Sequence, residues 1–382
     1  MGLVGSDGAH STVRKSLGFE IISDSSGAVW ESWIFPHTNF PDIRKKCPID
    51  SDSENILVIP REGDEMVRSS CPWSAYGIGQ RQANRSTKDL RVFLTGGTCH
   101  AHSPKAGQGM NISLQYGHNL GWKLGYLLSG RASPDILETY VSERQATAKD
   151  LDFDRYFTKL FSANYRHENH ITANDLKDQF VKAGRNTAGL ATKYGPSMPT
   201  RPTNDSSQIA LKLIVGMRFP SSLVVRVYDS RPVHLSRGLP SDGRWHWVVF
   251  TGDVASNGAK ARLDQLAADV AQITGRYAPE AVRSDGIINA ILVLSFQSGP
   301  DIETPPELFT PKPATCKWSV HTRLSTLNLQ RDTNKMFEGR TNVFIDKESY
   351  YNVSCGQTFQ SYGIGKSRGA VVILGPDLST RP

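Results

Sequence analysis

The chain has 382 residues, 38% of them hydrophobic and 21% charged, which allows more than one buried core and excludes a disordered protein. Its formal net charge of +7, from 44 basic and 37 acidic residues, comes without a dense Lys/Arg block or a basic–aromatic stripe, so no nucleic-acid partner is expected. Five scattered cysteines (Cys47, Cys71, Cys99, Cys316 and Cys355) include no C-x-x-C pair, which favours free thiols in a reducing compartment over disulfides or a zinc site.

In chain order, Leu3 to Gly8 suggests a strand and turn, and Ser11 can cap the helix that follows. Met1-Gly2 with Ser6 superficially fits a lipidation pattern, but a strand inside a domain explains the segment better. With no signal-peptide pattern at the N-terminus, the expected location is cytoplasmic. Arg91 to Thr95 is a short buried strand ending in Gly96-Gly97, followed by a loop with Pro104 and the cluster Gly107, Gln108, Gly109. A helix is predicted from about Asn111 to Leu128, with Met110, Leu114, Leu120, Leu124 and Leu127 at helical spacing, and another from Ser133 to Ala148. His167 and His170 have metal-ligand spacing but no further ligand cluster, so a solvated helix face is expected and no metal.

Composition shifts over residues 194–208, where Pro, Ser, Thr and Asn displace the apolar periodicity. This divides the chain into domains of residues 1–195 and 208–382. In the second, strands are predicted at Leu223–Val227, Trp245–Phe250, Ile287–Ser295 and Ala370–Leu374. The helix Ala259–Ile273 places Leu263, Leu266, Val270 and Ile273 on one face. Strand–helix–strand order implies an α/β layer domain. The most apolar stretch, Ile287 to Phe296, is about half of the ~20 residues that a membrane helix needs, so no membrane association is expected.

The residues that carry chemistry lie at two glycine corners. Gly107 and Gly109 flank a helix start, where the backbone can approach a flat ligand and the free N–H groups favour negative charge. The run from Arg91 to Leu124, RVFLTGGTCHAHSPKAGQGMNISLQYGHNLGWKL, resembles the second flavin-binding motif of the FAD-dependent aromatic hydroxylases of phenol 2-monooxygenase type. Gly5-Ser-Asp7-Gly8-Ala-His10-Ser11 resembles that family's DG motif. Ile56-Leu-Val-Ile-Pro-Arg61 resembles its substrate-side strand, and Trp73 to Arg81 also matches it. In the C-terminal half, Arg231-Pro-Val-His234, Leu239 to Trp245 and Ser361 to Ile364 resemble landmarks of its thioredoxin-like domain.

The resemblance implies an α/β fold: an incomplete, Rossmann-like FAD-binding and substrate domain, then a thioredoxin-like dimerisation domain. It assigns Gly97, Pro104, Gly107, Gln108, Gly109, Met110 and Asn111 to the flavin, Asp7 and Gly8 to its phosphate side, and Arg61 to the substrate and catalysis. It implies FAD as cofactor, NAD(P)H as reductant, a small phenolic or other aromatic substrate (secondary metabolites included), and a homodimer.

The chain departs from the family pattern in four places. Only six residues precede Asp7, so the βαβ unit with G-x-G-x-x-G that holds the adenosine half of FAD is expected to be missing, with any acidic residue it carries. The Asp that bonds the ribityl chain is Gly97. Between Arg68 and Trp73 a longer β segment with an active-site Tyr is replaced by Ser69 and Ser70. The family's Asp-Thr-Tyr is Tyr116-Gly117-His118. These departures support the alternative expectation of a truncated, non-catalytic paralogue acting through its dimerisation domain.

Overall fold

The structure, a computed structural model, describes residues 2–32, 47–50, 55–58, 74–102, 108–149, most of 163–200, 209–252 except 228, 259–277, 287–295 and 342–382 except 350–353. Two compact units are present: Met1–Leu124 with Pro134–Thr192, and Gly125–Ser133 with Lys193–Pro382.

In the first unit, β1 (Leu3–Gly5) runs parallel to β7 (Val92–Leu94), with Leu3 opposite Val92 and Gly5 opposite Leu94. The short β6 (Thr87–Lys88) pairs with β7 from the other side. A helix, α1 (Thr12–Ser16), follows β1. A second sheet joins β2 (Ile21–Ser32), β5 (Ser74–Ala83) and β8 (His100–Ala101), and β3 (Cys47–Asp50) pairs with β4 (Asn55–Val58). Helix α2 (Gln108–Leu128) begins three residues before the predicted start, and its residues to Leu124 belong to this unit.

The predicted helix at Ser133–Ala148 resolves into a 3-10 turn, Pro134–Leu137, followed by α3 (Glu138–Lys149). The Thr139 hydroxyl donates to the Ile136 carbonyl at 2.6 Å within this tightened entry. The short α4 (Ala163–Glu168) ends before His170, and no group of metal-ligating side chains exists among the described residues.

The second unit is built on one mixed seven-stranded sheet. Its strands are β9 (Leu223–Arg226), β10 (Pro232–His234), β11 (Trp245–Phe250), β12 (Ile288–Ser295), β13 (Val343–Asp346), β14 (Ala370–Leu374) and β15 (Thr380–Arg381), in the order β10-β9-β13-β12-β11-β14-β15. β11, β12 and β13 are parallel, and the outer pairs are antiparallel. Every residue of β12 is buried, as a parallel strand covered on both faces requires.

On one face Leu263 and Leu266 of α5 (Ala259–Tyr277) pack against Val249, Leu292 and Leu294. The other face holds Phe359 and Tyr362 of α6 (Thr358–Tyr362), with Phe250 meeting Phe359 edge to face at 5.5 Å. Ile273, placed by periodicity on the buried stripe, is 41% exposed, whereas Val270 packs with Ile287 and Ile288. The unit has the thioredoxin-like α/β layering expected from the sequence.

A polar thread crosses this core. Asn342 donates to the Asn289 carbonyl oxygen at 3.0 Å, and Asn289 donates to Gly238 O at 2.9 Å and to His246 Nδ1 at 3.0 Å. With Asn289 as donor, Nδ1 accepts and the His246 proton sits on Nε2.

Candidate cofactor site

The two glycine corners, about ninety residues apart in sequence, meet in the first unit. β1 and β7 lie side by side, so both chains leave the sheet at the same end. Gly8 leaves it with φ of +83°, open to glycine at little cost. An added Cβ at Gly97 would touch the Gly8 Cα at 3.5 Å and the Ala9 nitrogen at 3.6 Å.

Buried hydrogen bonds hold the corners together. Arg14, 5% exposed, donates from Nη1 to Thr98 O and from Nη2 to Ala9 O, both at 2.8 Å. The Thr98 hydroxyl lies 2.8 Å from Thr95 O and 3.2 Å from Gly5 O. The Thr95 amide donates to Gly5 O at 3.0 Å.

Asp7 accepts its hydrogen bonds from the start of α1. Its Oδ1 accepts the Ser11 hydroxyl at 2.5 Å, and its Oδ2 accepts the amides of Thr12 at 2.7 Å and Val13 at 3.2 Å. The Ser11 hydroxyl hydrogen bond, more than any other contact, holds this carboxyl below the ordinary carboxylate range. Asp7 is therefore a cap for α1, and Gly8 is the residue of the pair whose Cβ direction is open.

Beyond the second corner, α2 presents its first turn to solvent. Gly109 has nothing within 4 Å of a Cβ position, and Met110 (73% exposed) and Asn111 are at the surface. Gly109 O accepts the Ser113 hydroxyl at 2.8 Å. Gln108 begins the helix. Arg61, Pro104 and Gly107 lie outside the described residues.

Behind this surface, α2 is anchored by groups that sequence reasoning did not single out. Tyr140 donates to Leu94 O at 2.6 Å and so ties α3 to the end of β7. The Tyr116 ring meets His100 at a tilt, centroids 4.8 Å apart, and carries the Arg144 guanidinium 4.5 Å above its centre, while its hydroxyl donates to Arg144 O. Thus the place of the family's carboxylate holds an aromatic ring under a cation. Further along, Lys123 and Glu143, both side chains 0% exposed, form an ion pair at 2.7 Å, bridged by Asn119.

Burial, with His102 and Arg144 nearby, pushes the His100 imidazole down to about 3, and burial pushes His246 of the second unit down to about 4. Neither His100 ring nitrogen has a hydrogen-bond partner among the described residues. Both histidines are neutral when folded, whereas the unfolded chain takes up protons below about pH 6.5. Stability is therefore expected to be constant above that pH and to fall by roughly 1.4 kcal/mol per pH unit per histidine as pH drops towards 4. Melting curves between pH 7 and 4.5 check this. His100→Met should flatten the slope for the first unit, and an unchanged slope would contradict the assignment.

The described residues fit a flavin in one respect and depart from it in another. Open space at Gly8 and Gly109, beside the start of a long helix, suits a flat ligand carrying negative charge. Gly97 supplies no carboxylate.

Comparison with known proteins agrees with this geometry. Residues 62–152 match the family model "FAD binding domain", and residues 192–326 match "Phenol hydroxylase, C-terminal dimerisation domain". An FAD-dependent monooxygenase of Aspergillus terreus is 40% identical, the match covering 97% of this chain and 65% of that protein. The 3-hydroxybenzoate 4-monooxygenase of Comamonas testosteroni is 33% identical over 98% of this chain and 64% of its own length. This chain thus spans just under two thirds of the length of these relatives. The crystal structure of an aromatic hydroxylase from angucycline biosynthesis shares the fold, with a TM-score of 0.56, 19% identity and coverage of 100% of this chain and 66% of that one.

Proposed function

We propose, from the premise that this chain belongs to the FAD-dependent aromatic hydroxylase family of phenol 2-monooxygenase type, that it binds FAD and hydroxylates a phenolic or related aromatic substrate with NAD(P)H and dioxygen. The observation that carries this reading is the joining of two distant glycine corners by Arg14 beside the exposed first turn of α2. Gly8 and Gly109 would let the cofactor approach the backbone, and the free N–H groups at the start of α2 would favour negative charge on it. When bound, FAD supplies the redox chemistry that activates dioxygen. Tyr116, Tyr140 and Arg144 hold α2 against β7 and α3, and Arg61 is proposed to face the substrate.

The purified protein should keep visible flavin absorption after gel filtration with FAD, and NAD(P)H should bleach it. A colourless protein that never quenches FAD fluorescence would refute the reading. It would favour the second one, a non-catalytic paralogue acting through a homodimer of the second unit, for which the missing carboxylate at Gly97 speaks. Light scattering of the eluted peak distinguishes a dimer from a monomer.

A further inference from the structure

In the second unit, exposed apolar side chains and exposed cations lie on segments joined by backbone pairings, and neither property belongs to the cofactor site. The turn that carries Leu211 (72% exposed) and Ile214 (47% exposed) is fixed to the domain by its backbone. The Leu211 and Lys212 amides donate to Gly363 O at 3.4 Å and Tyr362 O at 3.2 Å, and Ala210 pairs with Ile364. The same segment continues into pairings of Met217 with Lys193 and of Arg218 with Ser379.

The exposed cations Lys193, Lys212, Arg218 and Lys366 therefore lie on the segments that meet here. Among the described residues of 193–200, 209–219, 360–370 and 378–382 there is no Asp or Glu. None of the four cations forms an ion pair with a described residue.

We propose that this face docks on an anionic lipid bilayer. A leucine 72% exposed protrudes, whereas a side chain lining a groove for a helix would be shaded by its walls. Protruding apolar side chains among lysines can enter the acyl boundary while the ammonium groups stay with the headgroups. A second copy of the chain is a poor occupant, because the described residues of these segments carry cations and no acid, and two such faces would set cation against cation. Each cation held at an anionic surface strengthens binding roughly fivefold, so the face should discriminate strongly by lipid charge.

The test is sedimentation of the full chain with vesicles of phosphatidylcholine mixed with phosphatidylserine, and with vesicles of phosphatidylcholine alone. Binding is expected only to the mixed vesicles, weakening as salt is raised. Lys193→Gln with Lys366→Gln should weaken it roughly 25-fold. Leu211→Ser with Ile214→Ser should weaken it at every salt concentration. All four positions are exposed, and thermal melting verifies that each variant folds. The proposal is overturned if the wild type ignores mixed vesicles, binds both kinds equally, or binds as well with both lysines replaced. It is also overturned if a poly-glutamate peptide binds this face while vesicles do not, which would assign the surface to an acidic polypeptide.

Discussion

Replacing Lys123 with methionine is expected to destabilise the first unit by about 3–5 kcal/mol, because it removes the cation opposite a wholly buried carboxylate. Lys123 Nζ donates to Glu143 Oε2 at 2.7 Å and to Asn119 Oδ1 at 2.9 Å, and Asn119 Nδ2 donates to the same Glu143 oxygen at 2.8 Å. The three groups hydrogen-bond to one another, with both charged side chains wholly buried. Taking out the ammonium removes a full opposite charge from beside the carboxylate, and the Asn119 amide supplies much less at that distance.

The melting temperature of the first unit should fall by roughly 6–20 °C. Combining Lys123→Met with Glu143→Leu should recover most of the loss, since apolar pairs of similar volume replace buried ion pairs at little cost. Equal stability of the single variant and the wild type would show that the pair is not buried as described. Because the pair links α2 to α3 behind the glycine corners, the single variant should also weaken FAD binding, and the double variant should restore it.

The second large effect is a gain. Gly97→Asp is expected to tighten FAD binding roughly ten- to a hundredfold, the contribution of one hydrogen bond to a charged group. The substitution fits the backbone. Gly97 is not among the residues with positive φ, and its Cβ would make only ordinary contacts, 3.5 Å to Gly8 Cα and 3.6 Å to the Ala9 nitrogen. In related hydroxylases an Asp at this place bonds the ribityl chain, and Gly8 is its neighbour here across the corner. Titration of FAD fluorescence gives the ratio of dissociation constants. An unchanged ratio, with wild type and variant both binding FAD, would mean that the ribityl chain does not pass Gly97.

Much of the second unit could be read from residue types, because its central strand β12 is buried along its whole length and its neighbours are apolar runs. Trp245–Phe250 and Ala370–Leu374 lie where their apolar, β-branched runs predict. The glycine corners were also legible, since glycine itself marks close backbone approach. The roles of the polar residues around them were not. Arg14 is bonded to two main-chain carbonyls, and a carbonyl carries no residue signature. The carboxylate of Asp7 bonds the amides of the first turn of α1, a matter of orientation that spacing does not encode. Tyr116 stood out only as a departure from the family pattern, whereas in three dimensions it joins His100, Tyr140 and Arg144 in one cluster.

Arg14 spans 84 positions of sequence with a single guanidinium, bonded to one main-chain carbonyl in each of the two loops. Neither loop can open while the other stays shut. Amide protons of Thr95 and of the turn after Gly8 should therefore exchange with deuterium at one common rate, set by the release of that side chain. Heat or denaturant would then abolish ligand affinity in a single step with the loss of this local order.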